Sequence, residues 1–444
     1  MKTGTENSTI TKLRPRPQVI PRSDHNISRN QISENALKVL YRLKNGGYGA
    51  YLVGGSVRDL LLGREPKDFD VATDAKPEQI RELFRNCRLI GRRFRLAHVR
   101  YGDEIIEVST FRAHHAQEDE DGQVVETSRI LQDNVYGTID DDAWRRDFTV
   151  NSLYYNIEDF SVIDYVGGMS DIRAGHIRLI GPPEQRYIED PVRMLRAVRF
   201  AVKLGFRIDE ATEQPIFKLN ELLADIPPAR LFEECLKLFT GGQALGTFEQ
   251  LRHYDLFRVL FPQTDAILQQ QEGGFPHTLL FHAFTNTDVR IAEGKPVSPG
   301  FLIAALLWMP VMELARSYME TGQSEHDAIN LASDVVISKQ VNRTAMPRRF
   351  TQMARDIWQL QSRLRRTKGN RPQKLLVHPK FRAAYDFLLL RTQAGENEKE
   401  LADWWTTFLE NPEHHQPIQD TPHAPRKRRR RRGGRNRSKP QPEE

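Results

Sequence analysis

Residues 52–73 read LVGGSVRDLLLGREPKDFDVAT, and this order predicts a strand, a glycine turn, a short helix and a second strand. The apolar run 50–53 is typical of a buried strand. A Gly-Gly-Ser turn follows it, and residues 57–62 are expected to form the helix, with Ser56 placed to cap its N-terminus. The stretch therefore indicates an α/β unit in the N-terminal part of the chain.

The turn and the second strand have features that suit a nucleotide. A glycine pair lets the backbone approach a ligand closely, and a helix N-terminus presents free N–H groups to phosphate. The second strand is expected over residues 67–72, where Asp68 and Asp70 face the same way with Cα atoms roughly 7 Å apart. Two carboxylates beyond such a turn are what a divalent metal bound to a triphosphate requires.

Each half of this pattern has a plainer explanation when it stands alone. A Gly-Gly-Ser turn often only joins a strand to a helix, and a D-x-D pair on an edge strand is usually solvated. Together the two are specific, and GGS-x-R-D followed by D-F-D resembles the head-domain signature of the nucleotidyltransferase superfamily that includes polymerase β. The continuation R-D-L-L-L-G is similar to the branch that holds bacterial poly(A) polymerases and CCA-adding enzymes.

Length and composition describe a globular chain of two or three domains. It has 444 residues, of which 39% are hydrophobic and 28% charged. No run of eighteen apolar residues occurs, so no membrane span is expected, and the N-terminus lacks the apolar region of a secretory signal. Cys87 and Cys235 lie far apart and indicate neither a disulfide framework nor a metal site. These features favour the cytoplasm.

The positive charge of the chain is concentrated at its C-terminus. The net charge is +6, and residues 426–439 contain ten basic residues and no acidic one. Because this segment has no apolar residue, it is expected to stay disordered and to contact RNA phosphates without reading sequence. A solubilising tail, or a contact for proteins of RNA decay or RNA chaperones, is the alternative.

The predicted fold class is α+β. A small mixed-sheet nucleotidyltransferase head is followed by an all-α neck and body and by a disordered basic tail. The predicted segments are a flexible extension over 1–30, the head over 31–180, a helical neck with a base-reading helix over 181–240, a helical RNA-binding body over 241–410, and the Arg-rich tail over 411–444. Residues 114–133 are expected to form a mobile, acidic loop.

Two residues compete for the role of third carboxylate. Glu107 lies on a predicted strand over residues 104–110, which could bring it beside Asp68 and Asp70, although a surface glutamate is as good an explanation. Asp147 lies in the sequence RRDF, next to two arginines that would pair with phosphate. This second motif, R-R-D-F-T-x-N-S, also resembles the nucleotidyltransferase branch, where it lies near the ribose and phosphates.

A third motif predicts a helix with arginines along one face. Asp190 followed by a proline is a good helix start, and arginines recur every three residues from Arg193 to Arg199 beside an apolar face. Alone this would be a solvated basic face. The sequence E-D-P-x-R-M-L-R-A-x-R-F, however, resembles the base-reading helix of the branch, which implies that Asp190 accepts from an exocyclic amine and Arg193 donates to the adjacent ring nitrogen. That pairing admits adenine or cytosine.

The resemblance implies a role for each motif. The catalytic carboxylates would be Asp68 and Asp70, with Asp147 or Glu107 as the third. Asp68 and Asp70 would hold two Mg²⁺ ions, with Mn²⁺ as an acceptable substitute, and ATP would be the substrate. The residues expected to bind the nucleotide belong to the turn, the RRDF motif and the arginine helix: Gly54, Gly55, Ser56, Arg58, Arg145, Arg146, Asn151, Asp190, Arg193, Arg196 and Arg199.

Residues 89–99, LIGRRFRLAHV, favour one side of the branch. They resemble the segment by which bacterial poly(A) polymerases differ from CCA-adding enzymes, although a basic strand pair also suits a general RNA groove. The function implied is template-independent addition of AMP from ATP to RNA 3′ ends, in RNA decay and processing. A CCA-adding enzyme and an inactive RNA-binding regulator are the alternatives. The expected RNA contacts are Arg92, Arg93, Arg95, Arg428, Arg429 and Arg430.

Overall fold

The structure, a computed structural model, describes residues 14–91, 95–113, 135–270 and 278–411. The chain divides into two compact units, one up to residue 355 and one from residue 356 onward. The first unit contains a mixed β-sheet and the helices that follow it, so the predicted α+β class is confirmed. The predicted boundaries near residues 180 and 240 stay predictions.

Within the described ranges, eight strands form one sheet in the order β1-β8-β7-β2-β3-β6-β5-β4, and two short strands pair separately. Only the β3–β6 pair of the large sheet is parallel. The strands are β1 Gln18–Ile20, β2 Ala50–Val53, β3 Asp70–Thr73, β4 Cys87–Ile90, β5 Leu96–Tyr101, β6 Glu104–Thr110, β7 Leu153–Asn156, β8 Val162–Asp164, β9 His176–Ile177 and β10 Arg207–Ile208.

The helices of the described chain begin inside the sheet region and dominate after residue 183. They are α1 Glu34–Asn45, α2 Gly55–Leu61, α3 Pro77–Leu83, α4 Ile139–Arg145, α5 Gly168–Ala174, α6 Pro183–Glu189, α7 Val192–Leu204, α8 Glu210–Leu219, α9 Pro228–Phe239, α10 Ala244–His253, α11 Leu256–Leu260, α12 Pro262–Gln270, α13 Thr278–Ala292, α14 Pro299–Glu320, α15 Glu325–Arg343, α16 Arg348–Leu364, α17 Arg371–Leu376, α18 Phe381–Gln393 and α19 Lys399–Glu410.

The two faces of the sheet have different surroundings, because successive side chains of a strand point to opposite faces. One face carries Leu52, Val71 and Val108 and packs into the main apolar core with α1, α2 and α3. The other face carries Val53 and Ala72 and packs against α4 in a smaller cluster. Asp70 shares the face of Ala72, two residues along β3, so the smaller cluster lies beside the predicted catalytic residues.

The predicted flexible extension is shorter than 30 residues. Strand β1 pairs antiparallel with β8 at the edge of the sheet, and Ile20 and Ile27 are buried in the core. The sequence does not indicate this because a three-residue edge strand is too short to show a hydrophobic period. The expected loop over 114–133 and the tail from residue 412 lie outside the described residues.

Two predicted element starts are wrong, by two and three residues. Helix α2 begins at Gly55 with Gly54 as its N-cap, so Ser56 lies inside the helix and does not cap it. Strand β3 begins at Asp70, so Asp68 lies just before the strand. The turn is tighter than predicted because Gly54 has φ +77°, a left-handed value that only glycine adopts readily.

One helix of the described chain, α14, is long and apolar enough to cross a membrane by length and composition alone. Its most apolar window is 61% buried inside the protein, and a buried core helix passes the same test. A single such helix is weak evidence for a span. The expected absence of a membrane span therefore stays a prediction.

The second unit has an apolar core of its own, built on α18 and α19. Trp405 is fully buried there and donates its indole N–H to the Leu364 carbonyl at 3.0 Å. Arg391 and Glu398, both buried, pair at 2.8 Å. A buried charge is tolerated only when it is paired, and this pair meets that condition.

Candidate active site

The parallel pairing of β3 and β6 places two carboxylates side by side. Asp70 and Glu107 are register partners across these strands, and both point away from the main core. Asp68, just before the strand, is exposed, whereas Phe69 is buried, and the charge of Asp68 acts on Asp70. We refer to Asp68, Asp70 and Glu107 as the carboxylate cluster.

The carboxylate cluster has the electrostatics of a cation site. Burial, together with the charges of Glu107 and then Asp68, raises the pKa of Asp70 to about 6, against the opposing charge of Arg146. The neighbouring carboxylates therefore disfavour the ionisation of Asp70 until a positive charge binds beside it. Oxygen donors of this kind suit Mg²⁺.

The carboxylate cluster is not a complete metal cage. Within residues 14–91, 95–113, 135–270 and 278–411, no three His, Cys, Asp or Glu side chains converge closely enough to hold a metal ion. Magnesium usually binds through one or two carboxylates together with substrate phosphates and water. The residues present fit that mode, in which ATP supplies part of the coordination shell.

The glycine turn lies directly beside the carboxylate cluster. A Cβ added to Gly54 would lie 3.9 Å from Asp70 Oδ2 and 3.8 Å from Arg146 Nη1. The turn therefore brings a negative and a positive side chain to the start of α2. Backbone N–H groups at a helix start have no intrahelical acceptor, so a phosphate can bind at this point.

Three residues predicted to bind the nucleotide instead point into the protein. The Ser56 hydroxyl donates to the Val53 carbonyl at 3.2 Å and is buried. Arg58 is only 2% exposed and donates to Asp59 at 2.7 and 2.9 Å and to the side-chain oxygen of Asn151. In this structure the Ser56 hydroxyl and the Arg58 guanidinium already donate within the protein, and Asn151 accepts from Arg58, so these side chains support the turn.

Asp147 belongs to a different cluster from the other carboxylates. It accepts a hydrogen bond from Arg193 Nε at 3.0 Å and forms an ion pair with Arg196. Although burial opposes the effect, these two arginines hold the pKa of Asp147 below its ordinary value. Asp147 thus anchors α7 to the RRDF motif, while Glu107 is the residue placed beside Asp70.

The start of the arginine helix differs by one residue from the prediction. Helix α7 begins at Val192 with Pro191 as its N-cap, yet the Asp190 side chain still accepts from the Val192 N–H at 3.3 Å. The second oxygen of Asp190 accepts from Arg230 at 2.7 Å. Both predicted base-reading residues therefore have protein partners, since Arg193 also donates to Glu189 at 3.1 Å.

The remaining predicted residues divide between the site and its surroundings. Arg145 contacts Asp142 at 3.4 Å and is partly exposed. Arg199 lies over the Phe200 ring, with its guanidinium 4.8 Å from the centroid, and burial lowers its pKa. Arg95 pairs with Glu78 on α3. Five predicted RNA contacts lie outside the described residues: Arg92, Arg93, Arg428, Arg429 and Arg430.

Several site residues give no recognisable motif in the sequence. Buried Arg186 donates to the backbone carbonyls of Arg145 and Arg146 at 3.0 and 2.9 Å, which fixes the RRDF segment. His98, on β5, lies 3.3 Å from Glu107, its register partner on β6. The only signal in the sequence for a site role of Arg186 is its position, three residues before the third motif.

The chain matches three families along its length. They are described as "Poly A polymerase head domain" over residues 50–178, "Probable RNA and SrmB- binding site of polymerase A" over residues 205–268, and "Polymerase A arginine-rich C-terminus" over residues 321–437. Poly(A) polymerase I of Salmonella typhimurium is 52% identical over 427 residues, covering 94% of this chain and 92% of that protein.

The chain belongs to the poly(A) polymerase family. It is a polynucleotide adenylyltransferase, as the R-R-F-R-L segment and the three nucleotide motifs predicted. The family uses ATP and a divalent metal, and RNA is its other substrate.

CCA-adding enzymes are more distant relatives of this poly(A) polymerase. That of Lactobacillus helveticus is 39% identical over 214 residues, which is 48% of this chain and 52% of that enzyme. A solved Bacillus stearothermophilus CCA-adding enzyme in complex with CTP has 26% identity and a TM-score of 0.54, covering 84% of this chain and 82% of that one. The two kinds of enzyme share the fold. The higher sequence identity to poly(A) polymerase I, over almost the whole chain, places this chain in the poly(A) polymerase branch.

The electrostatics of Asp70 predict a stabilising substitution. Its folded pKa, about 6, lies above its ordinary value of 3.8, so ionisation of Asp70 destabilises the folded state as pH rises through this window. Asp70→Asn is therefore expected to raise the free energy of unfolding of the metal-free polymerase at pH 8, by on the order of 1–3 kcal/mol. Urea unfolding at pH 8 and at pH 4 measures this.

The gain from Asp70→Asn should disappear near pH 4, where the wild-type carboxyl is protonated in the folded state. The exposed Asp68 provides a matched control, since Asp68→Asn should change stability little at either pH. An Asp70→Asn variant that is less stable than wild type at pH 8 would contradict this account of the carboxylate cluster.

Proposed function

We propose that the polymerase transfers AMP from ATP to the RNA 3′-hydroxyl where the Gly54 turn meets Asp70 and Arg146. The observation that carries the proposal is that a Cβ added to Gly54 would lie within 4 Å of both a carboxylate oxygen of Asp70 and a guanidinium nitrogen of Arg146. A triphosphate on the turn would have a cation at its phosphates and carboxylates at its metal. The 3′-oxygen forms a bond to the α-phosphorus, and the bond to pyrophosphate breaks.

Asp68, Asp70 and Glu107 are the proposed catalytic carboxylates, with the two aspartates as ligands of two Mg²⁺ ions. When bound, these ions would lower the pKa of the attacking hydroxyl and neutralise the departing pyrophosphate. Glu107 is favoured over Asp147 as the third carboxylate because it is the register partner of Asp70. Asp147 is already bonded to two arginines of α7.

Arg146 and the backbone of the turn are the proposed phosphate contacts, with Arg145 beside them. Arg58, Ser56 and Asn151 are proposed to act indirectly, because their side chains bond to one another or to the backbone beneath the turn. Preorganised donors of this kind stabilise the charge that develops during transfer, since they need no rearrangement at that moment.

Asp190 and Arg193 are the proposed readers of the base. Arg230 and Asp147 hold these two side chains in the described structure, which supports a base site of fixed shape. A site that offers an acceptor beside a donor rejects guanine and uracil, because their keto oxygens leave buried polar groups unpaired.

Substitutions that remove the charge of an aspartate and keep the shape of its side chain test the carboxylate assignment. Asp68→Asn and Asp70→Asn should each lower AMP addition by more than about tenfold, a barrier increase of at least ~1.4 kcal/mol, while circular dichroism stays unchanged. Incorporation of labelled ATP into an oligoribonucleotide measures the rate. Activity within about tenfold of wild type in either variant would place the metal elsewhere.

The same assay separates this activity from its alternatives. With ATP and CTP both present, sequencing of the product should find adenosine tails on unrelated RNA 3′ ends. A product that ends in CCA on tRNA alone would indicate the other branch, and no incorporation by the wild-type protein would indicate a regulator without catalysis.

The base-reading assignment predicts a change in nucleotide choice. Arg193→Ala should weaken use of ATP and reduce discrimination against GTP, because the donor for the ring nitrogen is lost. Competition between ATP and GTP at fixed RNA concentration measures selectivity. Lys203→Ala is the control on α7, because Lys203 is exposed and is not among the residues expected to bind the nucleotide. Unchanged selectivity in Arg193→Ala would move base reading to other residues.

The basic tail is proposed to collect RNA by releasing counterions from its phosphates. Each phosphate neutralised adds about −0.7 to the slope of log affinity against log salt for a single strand. If half of the ten basic residues engage, deletion of residues 426–444 should flatten that slope by roughly 3 to 4 units. Filter binding at several salt concentrations measures the slope.

Deletion of the tail should also raise the KM for RNA and leave turnover at saturating RNA almost unchanged, because the proposed chemistry lies in the sheet region. If the truncated polymerase kept the same salt slope and the same KM, the tail would instead be a contact for partner proteins of RNA decay. A cytoplasmic location stays a prediction.

A further inference from the structure

Helix α4 carries a carboxylate that contacts both arginines of the RRDF motif. Asp142 lies three and four residues before Arg145 and Arg146, a spacing that puts all three on one side of a helix. Its Oδ1 lies 3.4 Å from Arg145 Nε. Its Oδ2 accepts from Arg146 Nε at 3.1 Å and from Nη2 at 2.9 Å. One side chain therefore orients two cations.

Tyr154, on β7, completes this arrangement from the sheet. Its hydroxyl donates to Asp142 Oδ2 at 2.8 Å and accepts from Arg146 Nε at 3.0 Å. The Arg146 guanidinium also lies over the Tyr154 ring, 5.4 Å from its centroid. Tyr154 is fully buried and Asp142 is 4% exposed, so solvent competes little for these bonds.

These contacts determine which part of the Arg146 guanidinium remains available. Nε and Nη2 are occupied by Asp142 and Tyr154, whereas Nη1 has no hydrogen-bond partner in the part of the chain that the structure describes. Nη1 is also the atom nearest to the Gly54 turn. The side chain is partly exposed, at 23%, so this nitrogen is accessible to a ligand.

We propose that Asp142 and Tyr154 are positioning residues that hold Arg146 with one free nitrogen directed at the triphosphate on the Gly54 turn. The inference rests on the function proposed above. It adds two residues outside every sequence motif and assigns their effect to the nucleotide rather than to RNA. A guanidinium that is already oriented loses less conformational freedom when the phosphate binds.

A purely structural ion pair is the competing explanation. A buried carboxylate–arginine pair contributes little net stability, because desolvation of both charges offsets their attraction. Here the guanidinium is also left with one uncommitted nitrogen at a glycine turn, an arrangement that packing alone does not require. Asp140 and Asp141, on the same helix, pair instead with Arg14 at 2.9 and 2.8 Å and are more exposed.

Asp142→Asn and Tyr154→Phe test the inference, with Asp140→Asn as the matched control. Asp142→Asn should raise the KM for ATP and the dissociation constant of a non-reacting ATP analogue by about tenfold, with the KM for RNA within about twofold of wild type. Tyr154→Phe keeps the ring and removes one hydroxyl, so a smaller effect in the same direction is expected. Asp140→Asn should match wild type in all three quantities.

A double-substitution cycle separates positioning from a structural role. If Asp142 acts through Arg146, Asp142→Asn should have almost no further effect on ATP affinity when Arg146→Ala is already present. Additive effects of the two substitutions, or equal losses of affinity for ATP and RNA, would overturn the inference. Should Asp142→Asn fail to fold, Tyr154→Phe combined with Arg146→Ala gives the same cycle with ring volume preserved.

Failure of the positioning role can be distinguished from failure of the proposed function. An inactive Asp68→Asn together with wild-type ATP affinity in Asp142→Asn and Tyr154→Phe would refute only the positioning role. An active Asp68→Asn would refute the catalytic assignment, whatever the ATP affinity of the Asp142 variant.

Discussion

The parallel pairing of β3 with β6 is the constraint on which the site depends. It sets Asp70 opposite Glu107, and burial together with the charge of Glu107 raises the pKa of Asp70. Arg146 and the Gly54 turn are the features of the site that lie beside this concentration of negative charge. Arg146 follows the end of α4, and a Cβ added to Gly54 would lie within 4 Å of both Arg146 Nη1 and Asp70 Oδ2. The raised pKa of Asp70 predicts a cost in stability here, as is common where function needs a group that folding alone would not favour.

The RRDF motif places side chains beside both the carboxylate cluster and the arginines of α7, because its backbone changes conformation within the motif. Helix α4 ends at Arg145, and Arg146 is extended, with φ −63° and ψ 166°. Consecutive side chains of an extended chain point in opposite directions, so Arg146 faces the glycine turn while Asp147 faces the arginines of α7. Arg186 holds the two carbonyls that precede this change. The proposed phosphate and base contacts are thereby linked through two adjacent residues.

The motif residues divide into those that face the ligand site and those that support it. Arg58 is buried, bonded to Asn151, and lies 5.4 Å from the Phe200 ring of α7, so it joins the helix after the turn to the arginine helix. Arg199 lies on the same ring. Residues of these two motifs thus connect the proposed phosphate region to the proposed base region through the Phe200 ring.

The sequence alone predicted the strand–turn–helix order and the proximity of Asp68 to Asp70, because these follow from local spacing, and the resemblance of its motifs to a known family predicted the branch. Tertiary structure decided the rest. Glu107 became the neighbour of Asp70 through a strand register, and Asp147 was drawn to α7 by two arginines. The inward direction of Arg58 and the role of Asp142 and Tyr154 depend on partners up to 93 residues away. The side chains packed around a buried residue determine which of its donors remain free. No periodicity in the sequence predicts these donors.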